Sequence, residues 1–301
     1  MIRLDNLTKS FHGKRALESL SFEVARGEIF GLLGHNGAGK STALGILLGQ
    51  VFPNAGEAFI GGVSVQRDRA RALARTGAIF EAPRFYDYLS GWTNLEIFTA
   101  YSARVSKKEI ADAVETVGLT QRIRDRVGTY SQGMRQRLGL AQALLPAPEV
   151  VLLDEPTNGL DPEGIHEMRE LIKKLNRERG LTMLFCSHLL SEVEHLCERV
   201  AILNRGRLVF SGRWNEIARE GKRYRLDLDD WQRAAPALAR ARRTGDGMVE
   251  IALSDDIADL VAALVAAGVK VRAVEPVKTS LEDLYLETVT GDGRELPSRP
   301  Y

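Results

Sequence analysis

Residues 34–41 read GHNGAGKS, which fits the pattern G-x-x-x-x-G-K-[ST], and they directly follow the continuously apolar run that begins at Glu28 and ends at Leu33. Such a run is typical of a strand covered on both faces, and a helix is expected from Ser41 to about Gly49. Glycines allow successive backbone N–H groups to turn toward one anion. In this pattern Lys40 would reach the β- and γ-phosphates of a nucleotide, and the Ser41 hydroxyl would bind Mg²⁺. The stretch therefore predicts a phosphate-binding loop between a buried strand and a helix.

The residues on either side of this loop are typical of an α/β unit. Val150–Leu153 and Thr182–Cys186 are further apolar runs, and helical patterns lie between them. This order indicates a buried and largely parallel sheet. Ile2–Leu4 and Leu20–Val24 alternate apolar and polar positions, as half-buried strands do. The unit is expected to end near residue 220.

Helical patterns alone occupy the stretch from about Thr93 to Val127. Ser106 and Glu109 have the spacing of a capping box, which would open a helix running toward Gly118. A helical insertion over about 85–145 is therefore expected within the α/β unit.

Beyond about Gly221 the pattern changes. Tyr224–Leu228, Val249–Leu253 and Val269–Val274 alternate with period two, and segments rich in Ala and Leu separate them. A small α+β appendage is expected over 221–290. The stretch 291–301 contains Gly, Pro and charges, which predicts a disordered tail.

Composition excludes several classes of protein. The 301 residues carry 41 Lys and Arg against 40 Asp and Glu, so the net charge of +1 gives no pull toward nucleic acid or anionic membranes. From residue 222 onward acidic residues slightly outnumber basic ones, which is evidence against a nucleic-acid-binding arm. Neither a bilayer-spanning apolar run nor the apolar core of a secretory signal is found. Two cysteines fit a reducing cytosol, so a soluble intracellular protein is expected.

Two adjacent carboxylates follow the apolar run Val150–Leu153. The carboxyl ends of strands are where ligands bind in open α/β sheets, so Asp154 is the expected Mg²⁺ partner of the phosphate-binding loop. Glu155 is expected to point the other way along the strand, where it could orient or deprotonate an attacking water.

Three further segments complete a known order of motifs. They are YSQGMRQR at Tyr130–Arg137, NGLD at Asn158–Asp161, and Ser187-His188. In this order and spacing residues 1 to about 220 resemble the ATP-binding cassette (ABC) ATPases, the nucleotide-binding subunits of ABC transporters. The similarity is strongest to the stand-alone subunits of bacitracin- and drug-exporter systems, whose appendage ends in a segment similar to Pro276–Leu286.

The resemblance implies a fold and a set of partners. The fold is an α/β P-loop NTPase cassette with a mixed, largely parallel sheet, an antiparallel β subdomain and a helical insertion, followed by the small α+β appendage. The implied cofactors are ATP and Mg²⁺. The implied partners are a second cassette, as homodimer or paralogous heterodimer, and separate membrane-spanning permease subunits, with no nucleic acid. Through these permease subunits the cytoplasmic chain would be peripheral on the cytoplasmic face of the cell membrane.

The resemblance also assigns roles to individual residues. Ser131 and Gly133 belong to the signature segment, which would present donors to a γ-phosphate held by a second cassette, and Asp161 would lie at the dimer contact. His188 takes the place of the switch histidine that contacts the γ-phosphate. The residues expected to bind ATP are Phe11, Gly34, His35, Asn36, Gly37, Ala38, Gly39, Lys40, Ser41, Thr42, Ser131, Gly133 and Asp161; those expected in catalysis are Glu155, His188 and Glu81; and those expected to bind Mg²⁺ are Ser41, Asp154 and Glu81.

Some positions depart from the family pattern. The usual signature is Leu-Ser-Gly-Gly-Gln, whereas Tyr130, Gln132 and Met134 stand around the retained Ser and Gly. Glu81 occupies the place of a glutamine, where a carboxylate accepts Mg²⁺ or water but donates no amide hydrogen. Glutamate at this place is similar to the bacitracin and lantibiotic immunity type. His35 replaces the commoner proline of the phosphate-binding loop.

Several alternatives stay open at this stage. Phe11 is expected to stack on adenine, but an ordinary aromatic at a strand edge has the same pattern. The cluster Arg84–Tyr88 fits core packing in the helical insertion as well as a docking surface for a membrane subunit. The favoured function is the ATPase of an efflux transporter for an antibiotic, drug or peptide-like substrate. A soluble ATP-switched protein acting on ribosomes or DNA, and a nucleotide sensor with low turnover, are the alternatives.

Overall fold

The computed structural model describes residues 1–102, 105–145, 147–217, 222–245, 248–251, 256–277 and 280–290. The chain divides into two units, one formed by Met1–Gly212 and a second that begins at Arg213. The expected boundary at Gly221 and the tail expected over 291–301 lie outside the described residues.

The first unit alternates strands and helices along most of its length. In chain order its elements are β1 (Ile2–Phe11), β2 (Lys14–Val24), β3 (Ile29–Leu33), α1 (Lys40–Leu47), β4 (Ala55–Ile60), β5 (Val63–Ser64), α2 (Arg69–Leu73), β6 (Thr76–Ile79), α3 (Gly91–Ser102), α4 (Lys107–Thr116), α5 (Gln132–Ala143), β7 (Val150–Asp154), α6 (Pro162–Arg179), β8 (Thr182–Ser187), α7 (Leu190–Leu196), β9 (Arg199–Asn204) and β10 (Arg207–Arg213).

A six-stranded sheet in the order β10-β9-β3-β8-β7-β6 forms the centre of this unit. The pairs β9–β3, β3–β8, β8–β7 and β7–β6 are parallel. The register pairs Leu33 with Ser187 and Asp154 with Cys186, so the carboxyl ends of β3, β8 and β7 lie side by side. The buried, largely parallel sheet predicted from the apolar runs is thus confirmed, and it gathers three of the predicted motifs at one edge.

A second sheet, in the order β2-β1-β4-β5, is antiparallel. Helix α1 packs against β2, β4 and β7, and four of its apolar side chains are buried. One core cluster joins both sheets to this helix. In that cluster the rings of Phe22 and Phe30 stack with centroids 5.3 Å apart. The helix that follows the phosphate-binding loop is therefore held in the core by both sheets.

The predicted helical insertion contains α3, α4 and α5. The capping box is confirmed, because the Ser106 hydroxyl accepts from the Glu109 N–H at 3.2 Å and the Glu109 carboxylate accepts from the Ser106 N–H at 2.7 Å. Helix α5 lies against β6 with very little space between the two backbones. A Cβ atom on Gly77 would collide with the carbonyl oxygen of Ala143 at the end of α5.

The second unit is a small α+β domain with its own core. Its elements are α8 (Trp214–Ile217), β11 (Lys222–Leu228), α9 (Trp231–Ala234), β12 (Arg242–Gly245), β13 (Met248–Ile251), α10 (Ile257–Ala266), β14 (Val271–Val277) and α11 (Leu281–Thr290). The strands form an antiparallel sheet in the order β12-β13-β11-β14. Strand β14 begins two residues later than expected and continues past Pro276, which an edge strand tolerates.

None of the helices in the described ranges combines the length and the apolar character that a bilayer crossing needs.

The contact between β6 and α5 leads to a prediction for Gly77→Ala. The added methyl must push α5 away from the sheet, so we expect the free energy of unfolding to fall by about 3 kcal/mol. Gly180→Ala is the control, because its methyl would meet no atom within 4 Å and the cost of its left-handed backbone is about 1 kcal/mol. Urea unfolding of both variants is the measurement. Equal destabilisation by the two substitutions would contradict the close packing of α5 on β6.

Candidate functional site

The loop 34–39 owes its shape to glycines that other residues could not replace. Gly37 and Gly39 have φ angles of 83° and 116°, which L-residues rarely adopt. A Cβ atom on Gly39 would also lie 2.8 Å from the carbonyl oxygen of Ala16. Inside the loop the Ala38 N–H donates to the His35 carbonyl at 3.0 Å. The loop therefore curls directly into α1, whose first residue is Lys40.

A polar cleft of about 460 Å³ opens beside this loop. It brings together the predicted phosphate-binding, metal-binding and catalytic residues from four loops. The lining residues are Ala16, His35, Asn36, Gly37, Gly39, Lys40, Ser41, Thr42, Glu81, Asp154, Glu155, Asn158 and His188. Gly34 and Ala38 complete the loop without lining the cleft. The exposed backbone N–H groups at a helix N-terminus favour an anion at this place.

Three predicted residues contact one another at the centre of the cleft. The Lys40 ammonium donates to the Gly34 carbonyl at 2.6 Å and lies 3.4 Å from Glu155 Oε1. The other oxygen of Glu155 lies 2.8 Å from His188 Nδ1. An ionised carboxylate only accepts hydrogen bonds, so Nδ1 carries the hydrogen in this pair. Nε2, the other ring nitrogen, takes no part in the contact with Glu155. Glu155 thus joins Lys40 to His188.

The expectation that Glu155 points away from Asp154 is wrong. Strand β7 ends at Asp154, and Glu155 has a positive φ of 49°. Its N–H donates to the Cys186 carbonyl of β8 at 2.9 Å. Strand alternation no longer applies beyond the end of the strand, so both carboxylates line the same cleft. The turn at Glu155 is a backbone feature that an apolar run followed by two acids does not reveal.

Asp154 has an unusual titration. Burial raises the pKa of its carboxyl to about 6, the neighbouring Glu155 adds to the rise, and Lys40 opposes it. A cation at this carboxyl would remove the cost of its charge. The raised pKa of Asp154 therefore indicates a position that favours a metal ion.

The oxygen donors in the cleft fit Mg²⁺. Ser41, Asp154 and Glu81 all line it, and hydroxyl and carboxylate oxygens are the ligands that Mg²⁺ prefers. Among the described residues no three His, Cys, Asp or Glu side chains are grouped to hold a metal by themselves. Mg²⁺ is commonly bound by one or two carboxylates together with substrate phosphates and waters, so this donor set suits a cation that binds with a nucleotide.

Glu81 is held by two residues to which the sequence analysis gave no role. Its Oε1 accepts from Asn158 Nδ2 at 2.8 Å, and its carbonyl accepts from Gln136 Nε2 at 3.1 Å. Gln136 lies on α5 and is fully buried. Asn158 belongs to the NGLD segment and Gln136 to the YSQGMRQR segment, but neither pattern indicates a contact with Glu81. Ala16 enters the cleft through the pairing of β1 with β2 and has no local signal.

The predicted signature residues line a different cleft. Ser131, Gly133 and Asp161 lie around a space of about 760 Å³ that shares no lining residue with the first cleft. Ser131 caps α5 by accepting from the Met134 N–H at 3.3 Å. Asp161 caps α6 by accepting from the Gly164 N–H at 2.9 Å. Two helix N-termini therefore border this second cleft, and backbone N–H groups at a helix N-terminus favour an anion. The Asp161 carboxylate already occupies the N-terminus of α6.

Phe11 lies at the end of β1, outside the residues that line the first cleft. Its ring is 43% exposed. The paired strand β2 supplies Ala16 to the cleft, so Phe11 belongs to the hairpin that borders it.

Comparisons with known proteins agree with this geometry. Residues 17–158 match the family described as ABC transporter. The chain is 42% identical over 301 residues to the uncharacterized ABC transporter ATP-binding protein YhcH of Bacillus subtilis, covering 98% of this chain and 97% of that protein. It is 33% identical over 300 residues to the bacitracin transport ATP-binding protein BcrA of Enterococcus faecalis, covering 97% of each. Its fold is similar to a dimeric ATP-binding cassette solved in a post-hydrolysis state bound to ADP and Pi, with a TM-score of 0.64, 25% identity, and coverage of 71% of this chain and 98% of that chain.

The titration of Asp154 predicts how Asp154→Asn changes stability in EDTA without nucleotide. Because the folded state raises this pKa from 3.8 to about 6, the ionised carboxyl destabilises the fold, and that penalty grows as pH rises from about 4 to 6. We expect Asp154→Asn to be more stable than the parent above pH 6, by about 1 kcal/mol after allowing for partial solvation. The difference should vanish near pH 4.

Unfolding curves at several pH values provide the measurement. Asp112→Asn on α4 is the control, because it removes an exposed carboxylate far from the cleft. A stability difference that does not change with pH would show that Asp154 carries no such penalty.

Proposed function

The chain belongs to the ATP-binding proteins of ABC transporters, and from this membership we propose that it is the ATP-hydrolysing subunit of an export transporter whose membrane-spanning subunits are separate chains. The observation that carries the proposal is the contact of Lys40, Glu155 and His188 beside the phosphate-binding loop. We assign the cassette to residues 1–220 and an accessory role to 221–290.

ATP binding would depend first on attraction between the negative phosphates of the nucleotide and the positive groups of the cleft. The loop N–H groups and the N-terminus of α1 would receive the β- and γ-phosphates. The Lys40 ammonium already lies at this place, between the Gly34 carbonyl and Glu155. An incoming phosphate would take over part of its hydrogen bonding. Ser41 and Asp154, with Glu81 nearby, would hold the Mg²⁺ ion, which neutralises the charge that develops on the phosphate oxygens.

Hydrolysis then requires a water in line with the γ-phosphate. Glu155 is placed to accept a proton from that water. As the proton is transferred, the oxygen of the water bonds to phosphorus and the bond from phosphorus to ADP breaks. The Nδ1–H of His188 donates to the Glu155 carboxylate and holds it in position. A ring that also carries a hydrogen on Nε2 would donate that hydrogen to the γ-phosphate. Phosphoryl transfer depends mainly on positioning and charge stabilisation, and these residues supply both.

The second cleft supports a sandwich of two cassettes. Within one chain Ser131 and Gly133 lie in a different cleft from Lys40. We propose that the α5 N-terminus of one chain completes the phosphate site of another chain, so that ATP binds between them. The proposal agrees with the dimeric cassette bound to ADP and Pi, which has the same fold.

Glu155→Gln tests the enzymatic part of the proposal. The amide keeps the shape of the side chain but accepts no proton from water, so we expect ATP binding to persist and steady-state hydrolysis to fall about a hundredfold or more. ATP should then trap a stable dimer. Nucleotide binding, phosphate release and size-exclusion chromatography with Mg²⁺-ATP are the measurements.

Glu115→Gln on the exposed face of α4 is the matched control. Full hydrolysis by Glu155→Gln would exclude Glu155 as the general base. Negligible hydrolysis by the parent chain as well would favour a nucleotide sensor over a transport ATPase.

We propose that the permease docks on an exposed aromatic surface next to the cleft. Phe80, Tyr86 and Tyr88 are 45%, 44% and 69% exposed, and a groove of about 380 Å³ runs along residues 78–84. Tyr86 stacks on Phe98 of α3 and lies 6.0 Å from the ring of Tyr88. Exposed aromatic side chains are frequent anchors of protein interfaces. Since Glu81 belongs to the same segment, docking here would act directly on the cleft.

The relatives support a proposal for the direction of transport and the substrate. BcrA is named for bacitracin transport and matches nearly the whole chain. We therefore propose export of an antibiotic, drug or peptide-like compound, with the chain held at the cytoplasmic face of the membrane by its permease.

Membrane fractionation tests the docking surface. Co-expressed with a separate polytopic permease as its candidate partner, the chain should sediment with membranes, and without that polytopic protein it should remain in the supernatant. Tyr88→Ser should lower the sedimenting fraction several-fold because an interface anchor is lost. Phe52→Ser is the matched control, since Phe52 is also 69% exposed but lies elsewhere. An equal fall in the sedimenting fraction for both variants would contradict docking at Tyr88. A sedimenting fraction that is the same with and without the polytopic protein would contradict the transport function.

A further inference from the structure

Lys9 and Phe11 lie two residues apart at the end of β1. The Lys9 ammonium lies over the Phe11 ring, 4.9 Å from its centroid. A cation in this position is attracted by the electron density on the ring face. The contact fixes the orientation of an aromatic side chain that is otherwise 43% exposed.

Lys9 makes a second contact with the turn that follows α1. Its ammonium donates to the Phe52 carbonyl at 2.6 Å. Two further hydrogen bonds join the same segments, because the Asn54 side chain accepts from the Ser10 N–H at 2.7 Å and the Asn54 N–H donates to the Thr8 carbonyl at 2.7 Å. The end of β1 is thereby tied to the chain leaving α1, the helix that begins at Lys40.

These contacts give the Phe11 ring a fixed place relative to the phosphate-binding loop. A free aromatic side chain loses rotamer entropy when a flat ligand stacks on it, and a side chain already held in place loses less. Lys9 covers one face of the ring, which leaves the opposite face for a base.

We propose that Lys9 is a positioning residue for nucleotide selection, which holds the Phe11 ring at a fixed distance from the phosphate-binding loop so that it stacks on the adenine of ATP. This inference rests on the proposed function, to which we add the contact of Phe11 with the base that the family resemblance implies. It assigns to Lys9 an effect on the base that is separate from any attraction of its charge for the phosphates.

A double-mutant cycle with two ligands tests the proposal. Lys9→Met keeps most of the apolar stem and removes the charge. We expect its affinity for Mg²⁺-ATP to fall about threefold, because the freed ring must then lose rotamer entropy when the base stacks on it, while its affinity for inorganic tripolyphosphate stays unchanged. In a Phe11→Leu background, Lys9→Met should no longer change ATP affinity. Isothermal titration calorimetry on the full chain measures each value.

Lys14→Met is the matched control, because Lys14 is paired with Phe11 across the hairpin and carries the same charge. If Lys9→Met weakened ATP and tripolyphosphate equally, or no more than Lys14→Met, its charge alone would explain the effect and the proposal would be overturned. It would also be overturned if Lys9→Met remained harmful in the Phe11→Leu background. If Phe11→Leu itself left the preference for ATP over tripolyphosphate unchanged, the fault would lie in the base contact of the proposed function, and the role of Lys9 would fall with it.

Discussion

The ion pair between Lys40 and Glu155 is the contact on which the first cleft depends. The two side chains are only 6% and 10% exposed, and a buried charge is costly unless a partner of opposite sign lies close to it. Each residue is therefore needed to make the burial of the other tolerable. The pair joins the start of α1 to the end of β7, so the group that would grip phosphate and the group that would activate water are positioned by the same interaction.

The sheet register makes this pair possible. Strands β3, β8 and β7 are neighbours and run parallel, so their last residues lie at one edge. The phosphate-binding loop follows β3, His188 follows β8, and Glu155 follows β7. Lys40 and Glu155 are more than a hundred positions apart in the chain, and they meet because the strands that precede them end at the same edge of the sheet. The second cleft is built by different means, from the N-termini of α5 and α6, so the two clefts of one chain are separate.

Much of this arrangement was predictable because it depends on patterns of neighbouring residues in the sequence. Apolar runs predicted β3, β7 and β8, the spacing of Ser106 and Glu109 predicted a capped helix, and the glycines of residues 34–41 predicted the loop. The turn at Glu155 was not predictable, since it depends on a hydrogen bond to Cys186 in a neighbouring strand. The partners of Glu81 were missed for the same reason. Asn158 and Gln136 reach it from distant segments, and nothing in their immediate sequence indicates such a contact.

Helix α5 touches both halves of this machinery. It begins beside Ser131 in the second cleft, its middle residue Gln136 holds the Glu81 carbonyl of the first, and its last residue rests on Gly77. A helix of 12 residues is a stiff rod about 18 Å long. If two chains bind their nucleotides between them, the N-terminus of each α5 lies at the nucleotide of the other chain. The middle of the same helix lies at the nucleotide of its own chain. A helix in this position would couple the occupancy of one nucleotide site to the geometry of the other. Such coupling is the physical requirement for cooperative hydrolysis of ATP.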